Sequence, residues 1–197
     1  MERLKGTETA LIVVHFQPDI IGEGTAFGGL FRPELERLNV IENVNNLTDV
    51  VRNAGGKVIW IRIQLKKDYS DINPRIPLLV MAQQANALDA GGEGTVLSPE
   101  ARFVDGDLDQ PHPRPNPFVG TDLRDKLTGI SNVLVAGVAT NASVETVFRH
   151  VSDHDMRAIV VSDACSAATP EAHAASLESM GLFGEVATIA DVAAALA

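Results

Sequence analysis

One cysteine, Cys165, is present in 197 residues. A disulfide within the chain is therefore impossible, and a cysteine-rich metal site is excluded. Such scarcity fits a reducing compartment. Basic residues are also few. Sixteen Lys and Arg stand against 26 Asp and Glu, the formal net charge is −10, and no basic run exceeds Lys66–Lys67. Nucleic acids and anionic membrane surfaces are bound through clustered Lys and Arg, so neither is expected as a partner. No uninterrupted apolar stretch is long enough to span a bilayer. The N-terminal "MERLKGTETA" carries charges where a signal peptide would carry an apolar centre. The expected location is the cytoplasm.

What is present is an ordinary globular composition, 45% hydrophobic and 21% charged. The length suits a single domain over residues 1–197 with a substantial core. Apolar runs alternate with helix-like segments. "ALIVV" (10–14) reads as a first buried strand that runs directly into His15. Residues 33–54 carry Leu35, Leu38, Ile41, Val44, Leu47, Val50 and Val51 at spacings of one, three and four, which predicts one amphipathic helix closed by Gly55–Gly56. "KVIWIRIQL" (57–65) is a second strand, rich in β-branched residues. A short helix is expected around Leu78–Leu88, and 91–117 reads mainly as loop, long enough to suggest function.

Regularity returns after Phe118. A short helix over 121–127 has Thr121 as its expected N-cap. "NVLVAGV" (132–138) and "RAIVVSDAC" (157–165) are strands, separated by a helix over 140–154. A helix with Pro170 at its first position and Gly181 at its end follows, then a last strand and a closing helix. Strand–helix alternation throughout implies an α/β fold, a mostly parallel sheet with helices on both faces. Ligands in such sheets bind beyond the carboxyl ends of the strands. His15 and the turn "GVATNAS" both lie there.

"ALIVVHFQPD" (10–19), "HPRPNPFVGTDL" (112–123), "VLVAGVATNASVE" (133–145) and "VVSDACSA" (160–167) fall in an order and spacing that resembles the isochorismatase-like, or cysteine hydrolase, superfamily. The resemblance covers nearly the whole chain and is weakest over 66–110. It implies a three-layer α-β-α sandwich with a Rossmann-like sheet of about six strands. It also implies a small-molecule substrate, no cofactor, and a homodimer or larger homo-oligomer in which the alanine-rich C-terminal helices pack between subunits. Three catalytic positions are implied: an Asp ending the first strand, a Lys before a Phe in a run like "KxxxSAF", and a Cys opening the helix after "GVATN". Here they hold His15, His112 and Ser143, with Arg114 as the neighbouring alternative to His112 among Pro113, Pro115 and Pro117.

The replacements are chemically coherent. A carboxylate suffices to activate a thiol, whereas a serine hydroxyl needs an imidazole beside it. His15 as general base and Ser143 as nucleophile would make a Ser–His pair, with His112 stabilising charge in place of the lysine. The resemblance further implies an oxyanion hole from the N–H groups of Ala139 and Ser143, and a cis peptide between Val138 and Ala139. Phe16, Gln17, Phe118 and Thr140 are the expected substrate contacts, and Asp19 is a candidate for orienting His15.

Two other readings stand beside this one. Loss of every catalytic identity is also what a scaffold bound to a small molecule or a subunit, without hydrolysis, would show. Vinyl-ether cleavage with His15 as the acid is the third. No metal is expected. "WIRIQLKKD" lacks the Asp-x-His motif of nicotinamidases, and His15 with His112 gives fewer ligands than a catalytic zinc site needs. His150 and His154 are expected to be solvated at a helix end, Cys165 to be a small core residue, His173 to lie at the surface or an interface, and Trp60 to be core or an apolar wall.

Overall fold

A computed structural model describes residues 1–197. Its centre is a six-stranded parallel sheet in the order β3-β2-β1-β4-β5-β6. The strands are β1 (Thr9–Val14), β2 (Lys57–Ile63), β3 (Leu108–His112), β4 (Asn132–Val138), β5 (Arg157–Ser166) and β6 (Glu185–Ala187). The helices are α1 (Pro18–Ile21), α2 (Gly28–Arg37), α3 (Val40–Asn53), α4 (Pro77–Gln84), α5 (Leu123–Lys126), α6 (Glu145–Ser152), α7 (Pro170–Met180) and α8 (Ile189–Leu196). One layer over the sheet contains α3 packed on α8, and the other contains α6 packed on α7. This is the expected three-layer α/β sandwich. No helix is long and apolar enough to cross a membrane.

Central strands explain the apolar runs. Every residue of β1 is buried, as is all of β4 after Asn132, because helices cover both faces of a parallel sheet. Helix α3 turns Val40, Val44, Leu47 and Val51 onto the sheet, the spacing of one helical face. Strand order reverses between β1 and β4. Chain running from β1 builds outward through β2 and β3, and chain entering at β4 builds the other way. The reversal opens a crevice beyond the carboxyl ends of those two strands, and His15 and Ala139 are the residues that immediately follow them.

Gly137 lets the two strands close at that point. Its φ is +115°, and a Cβ there would lie 2.3 Å from the Val14 carbonyl oxygen.

The structure corrects three local expectations. The helix expected over 33–54 is two helices, α2 and α3, broken at Asn39, which sits in the left-handed region at φ 53°. Asn tolerates that conformation, and the Asn43 side chain secures the corner by donating to the Leu38 and Asp163 carbonyls. The segment 91–117 is not mainly loop at its end, since it contributes β3, the edge strand that pairs with β2 through Ile63 and His112. Pro111 is compatible with a strand only because β3 is an edge. Thr121 is not the N-cap residue of α5. Asp122 occupies that position with no side-chain cap bond, while the Thr121 hydroxyl donates to the Pro117 carbonyl and accepts from the N–H of Leu123, the first helical residue.

Candidate active site

Three strand ends, those of β1, β3 and β4, assemble the site. His15 leaves β1 with φ 56°, an uncommon conformation for a side chain larger than Asn. Its N–H donates to the Ile61 carbonyl, and its own carbonyl accepts from Gln17 N–H. His112 ends β3, two strands away. The ring nitrogens meet, His15 Nε2 to His112 Nε2 at 3.1 Å, with ring centroids 5.1 Å apart and planes inclined by 22°.

The hydrogens in this pair can be assigned. His112 Nδ1 lies 2.7 Å from the Arg114 carbonyl. A carbonyl only accepts, so Nδ1 carries the hydrogen, and the Nε2 of neutral His112 is bare. The contact with His15 then requires a hydrogen on His15 Nε2. Neutral His15 is left with its basic lone pair on Nδ1. Burial holds both rings neutral. His112 is lowered to about 4 by burial, with the Arg114 carbonyl opposing and the Arg62 charge reinforcing the shift. His15 is held well below 6.5, first by burial and then by His112.

Ser143 lies in a π-helical turn, Thr140–Val144, between β4 and α6. Such turns often occur at functional sites. The Ser143 side chain is buried, with 5% exposure, and both Ser143 and His15 line one cavity of about 60 Å³. No hydrogen bond joins them in this structure. The peptide bond between Val138 and Ala139 is cis. The Ala139 carbonyl accepts from the N–H groups of Ala142 and Val144, whereas the Ala139 N–H donates to no group of the chain. Ala139 is itself buried and lines the same cavity.

The remaining walls are apolar. Ile20 of α1, Phe27, Phe31 of α2, Ile63, Leu79 of α4 and Leu88 close the cavity, and Ala142 and Leu78 stand at its more exposed side. Neither sequence pattern nor spacing marked these residues, because an apolar wall and an apolar core look alike in a sequence.

None of the four expected substrate contacts lines the cavity. Phe16 is fully buried, edge-on to Trp60, which is core. Gln17 is consumed as a clamp. Its amide donates to the Ile63 and Thr95 carbonyls and accepts from Ile63 N–H. Thr140 is buried with its hydroxyl 2.8 Å from His173 Nδ1. Phe118 stacks on His150, which stacks on His154, so those histidines are half-buried in a ring stack and not simply solvated.

His112 takes the lysine position within the chain order, but its Nδ1 hydrogen is spent on Arg114 and its Nε2 faces His15. It is therefore not a cationic stabiliser. Arg114 is no substitute, since its guanidinium donates back to the Pro113 carbonyl. Asp19 does not touch His15 through a hydrogen bond. Its carboxylate accepts from Leu88 N–H at 2.8 Å and so fixes one cavity wall. Cys165 is a core residue whose thiol is pushed up to about 12 by burial. A zinc ion of the nicotinamidase kind does not fit these residues, because no three His, Cys, Asp or Glu side chains converge in a way that could hold one.

Comparison with known proteins gives the family and the fold. The family model for the isochorismatase domain matches residues 9–191. A probable inactive nicotinamidase of Arabidopsis thaliana, At3g16190, is 28% identical over 195 residues, 89% of each chain. The ureidoacrylate amidohydrolase RutB of Rhizobium rhizogenes is 28% identical over 207 residues, 97% of this chain and 84% of that one. A crystal structure of a cysteine hydrolase from Pseudomonas syringae pv. phaseolicola superposes with a TM-score of 0.88 at 22% identity, covering 100% of this chain and 95% of that one. With the switch-point crevice, the turn after β4 and a family match along almost its full length, the chain belongs to the isochorismatase family.

Proposed function

We propose that this chain is a serine-dependent member of its family, hydrolysing a small amide, ester or related C–N or C–O bond. Ser143 is the nucleophile and His15 the general base. The observation that carries this reading is the composition of the cavity. Its only polar side chains are a neutral histidine and a serine, and the Ala139 N–H beside them has no partner.

In the proposed reaction, His15 Nδ1 takes the hydroxyl proton as Ser143 Oγ attacks the carbonyl carbon. The N–H groups of Ala139 and Ser143 donate to the developing oxyanion, an arrangement typically responsible for about 10²–10³-fold in rate. The imidazolium returns the proton to the leaving group, and water then attacks the acyl-serine with His15 again as base. His112 is a positioning residue. By accepting from His15 Nε2 it holds the tautomer that leaves Nδ1 free. The hydrogen bond between His15 and Ser143 forms when substrate fills the cavity, a tightening common in such sites.

Turnover of neutral p-nitrophenyl esters and aryl amides by wild type, Ser143→Ala and His15→Ala tests the reading. Both variants are expected to lose at least about 10³-fold in kcat/KM while keeping the wild-type circular dichroism and Tm. Full activity in Ser143→Ala would refute the nucleophile.

A second reading has its own support. His15 already has a satisfied Nε2 and no bond to Ser143, and one relative is named as probably inactive. In that reading the cavity binds a small molecule without cleaving it, and no ester or amide is turned over by the wild type.

A further inference from the structure

The wall chemistry restricts what the cavity can hold. Ile20, Phe27, Phe31, Ile63, Leu79 and Leu88 supply no hydrogen-bonding side chain and no charge. Three cations of β2, α5 and the segment after β3 are committed elsewhere. Arg62 pairs with both carboxylate oxygens of Asp109 and donates to the Thr95 carbonyl. Arg114 donates to Pro113, and Lys126 bonds the Gln110 amide and lies 3.3 Å from Asp122. None of the three lines the cavity. Both imidazoles are neutral, so they supply no countercharge either. A carboxylate buried without a partner is strongly disfavoured. The volume of about 60 Å³ equals that of about two water molecules in the liquid, at about 30 Å³ each, so only a short chain fits.

We propose that this cavity is an acyl pocket for short, uncharged aliphatic groups and that it rejects acyl groups ending in a carboxylate. The proposal rests on the hydrolytic reading for the word acyl. The selectivity itself belongs to the walls and is independent of turnover. The polar end of the ligand lies against Ala139 N–H and Ser143, and the apolar chain lies among Phe27, Phe31, Leu79 and Leu88. The leaving group projects past Leu78 and Ala142, the more exposed part of the lining.

The test compares butyramide with succinamate, which share a four-carbon chain and end in a methyl and a carboxylate. Binding to wild type and to Ser143→Ala is measured by isothermal titration calorimetry at pH 7.5. Butyramide is expected to bind at least about tenfold tighter than succinamate to both proteins. In Phe31→Arg, which places a guanidinium at the partly exposed wall, the ratio is expected to fall by about tenfold or reverse. Equal binding, tighter binding of succinamate to the wild type, no binding of butyramide, or an unchanged ratio in Phe31→Arg would each overturn the proposal. A wild type that shows the preference yet turns over no ester or amide sinks the hydrolytic reading alone. Turnover that favours succinyl over butyryl esters sinks the pocket assignment alone.

Discussion

His15 carries most of the chemistry, and its environment determines what it can do. Histidine in water titrates near 6.5. Here burial and the neighbouring His112 hold it well below that value, so it remains neutral and basic at Nδ1 into acidic solution. The sign follows directly. A base with a lowered pKa keeps its lone pair as pH falls, and rate is lost only when pH drops below the lowered value. The acidic limb of kcat/KM for the free enzyme is therefore expected well below the 6.5 of an ordinary imidazole. A limb centred at 6.5 or above would show that His15 is solvated or is not the base. His112 reaches the same neutrality chiefly by burial, which outweighs the opposing hydrogen bond from its Nδ1 to the Arg114 carbonyl. That bond, and not a charge, is what it contributes to the pair.

At the scale of elements, the site depends on how closely β1 and β4 approach. Val14 pairs with Gly137 in register, and His15 and Val138 are the next residues along each chain. Gly137→Ala would place a methyl within 2.3 Å of the Val14 oxygen at a backbone φ of +115°. The expected loss is about 2–4 kcal/mol in urea unfolding, together with displacement of His15 from the oxyanion turn. A loss under about 0.5 kcal/mol would show that the strands part easily at this point. Legibility in the sequence also varied by element. Residues 133–138 form an unbroken apolar run that only a doubly covered strand produces, so β4 and the turn after it were readable. Strand β3 was not, because Asp109 and Pro111 are exposed at the edge and the buried positions between and after them are the polar Gln110 and His112. The break at Asn39 was hidden as well. Leu35, Leu38 and Ile41 keep helical spacing straight across it, and only the left-handed backbone of one residue divides α2 from α3.

For the whole molecule, the topology brings together residues that the sequence holds far apart. His15 and His112 are separated by 97 positions and Ser143 lies further on, yet the crevice between β1 and β4 gathers all three. Strand–helix alternation made that crevice and two of its residues foreseeable. The contact between the two histidines and the apolar walls were not foreseeable, because the first joins the ends of β1 and β3 and the second come from α1, α2 and α4 against the sheet, and no short motif marks either. The central claim is that Ser143 is an activated nucleophile. Its most direct test is intact-protein mass spectrometry and peptide mapping after treatment with a small alkyl fluorophosphonate. The expected result is a single phosphonyl adduct on Ser143 in the wild type, absent from Ser143→Ala and slowed by at least about 100-fold in His15→Ala. An unlabelled wild type, or an adduct that persists in Ser143→Ala, would contradict it.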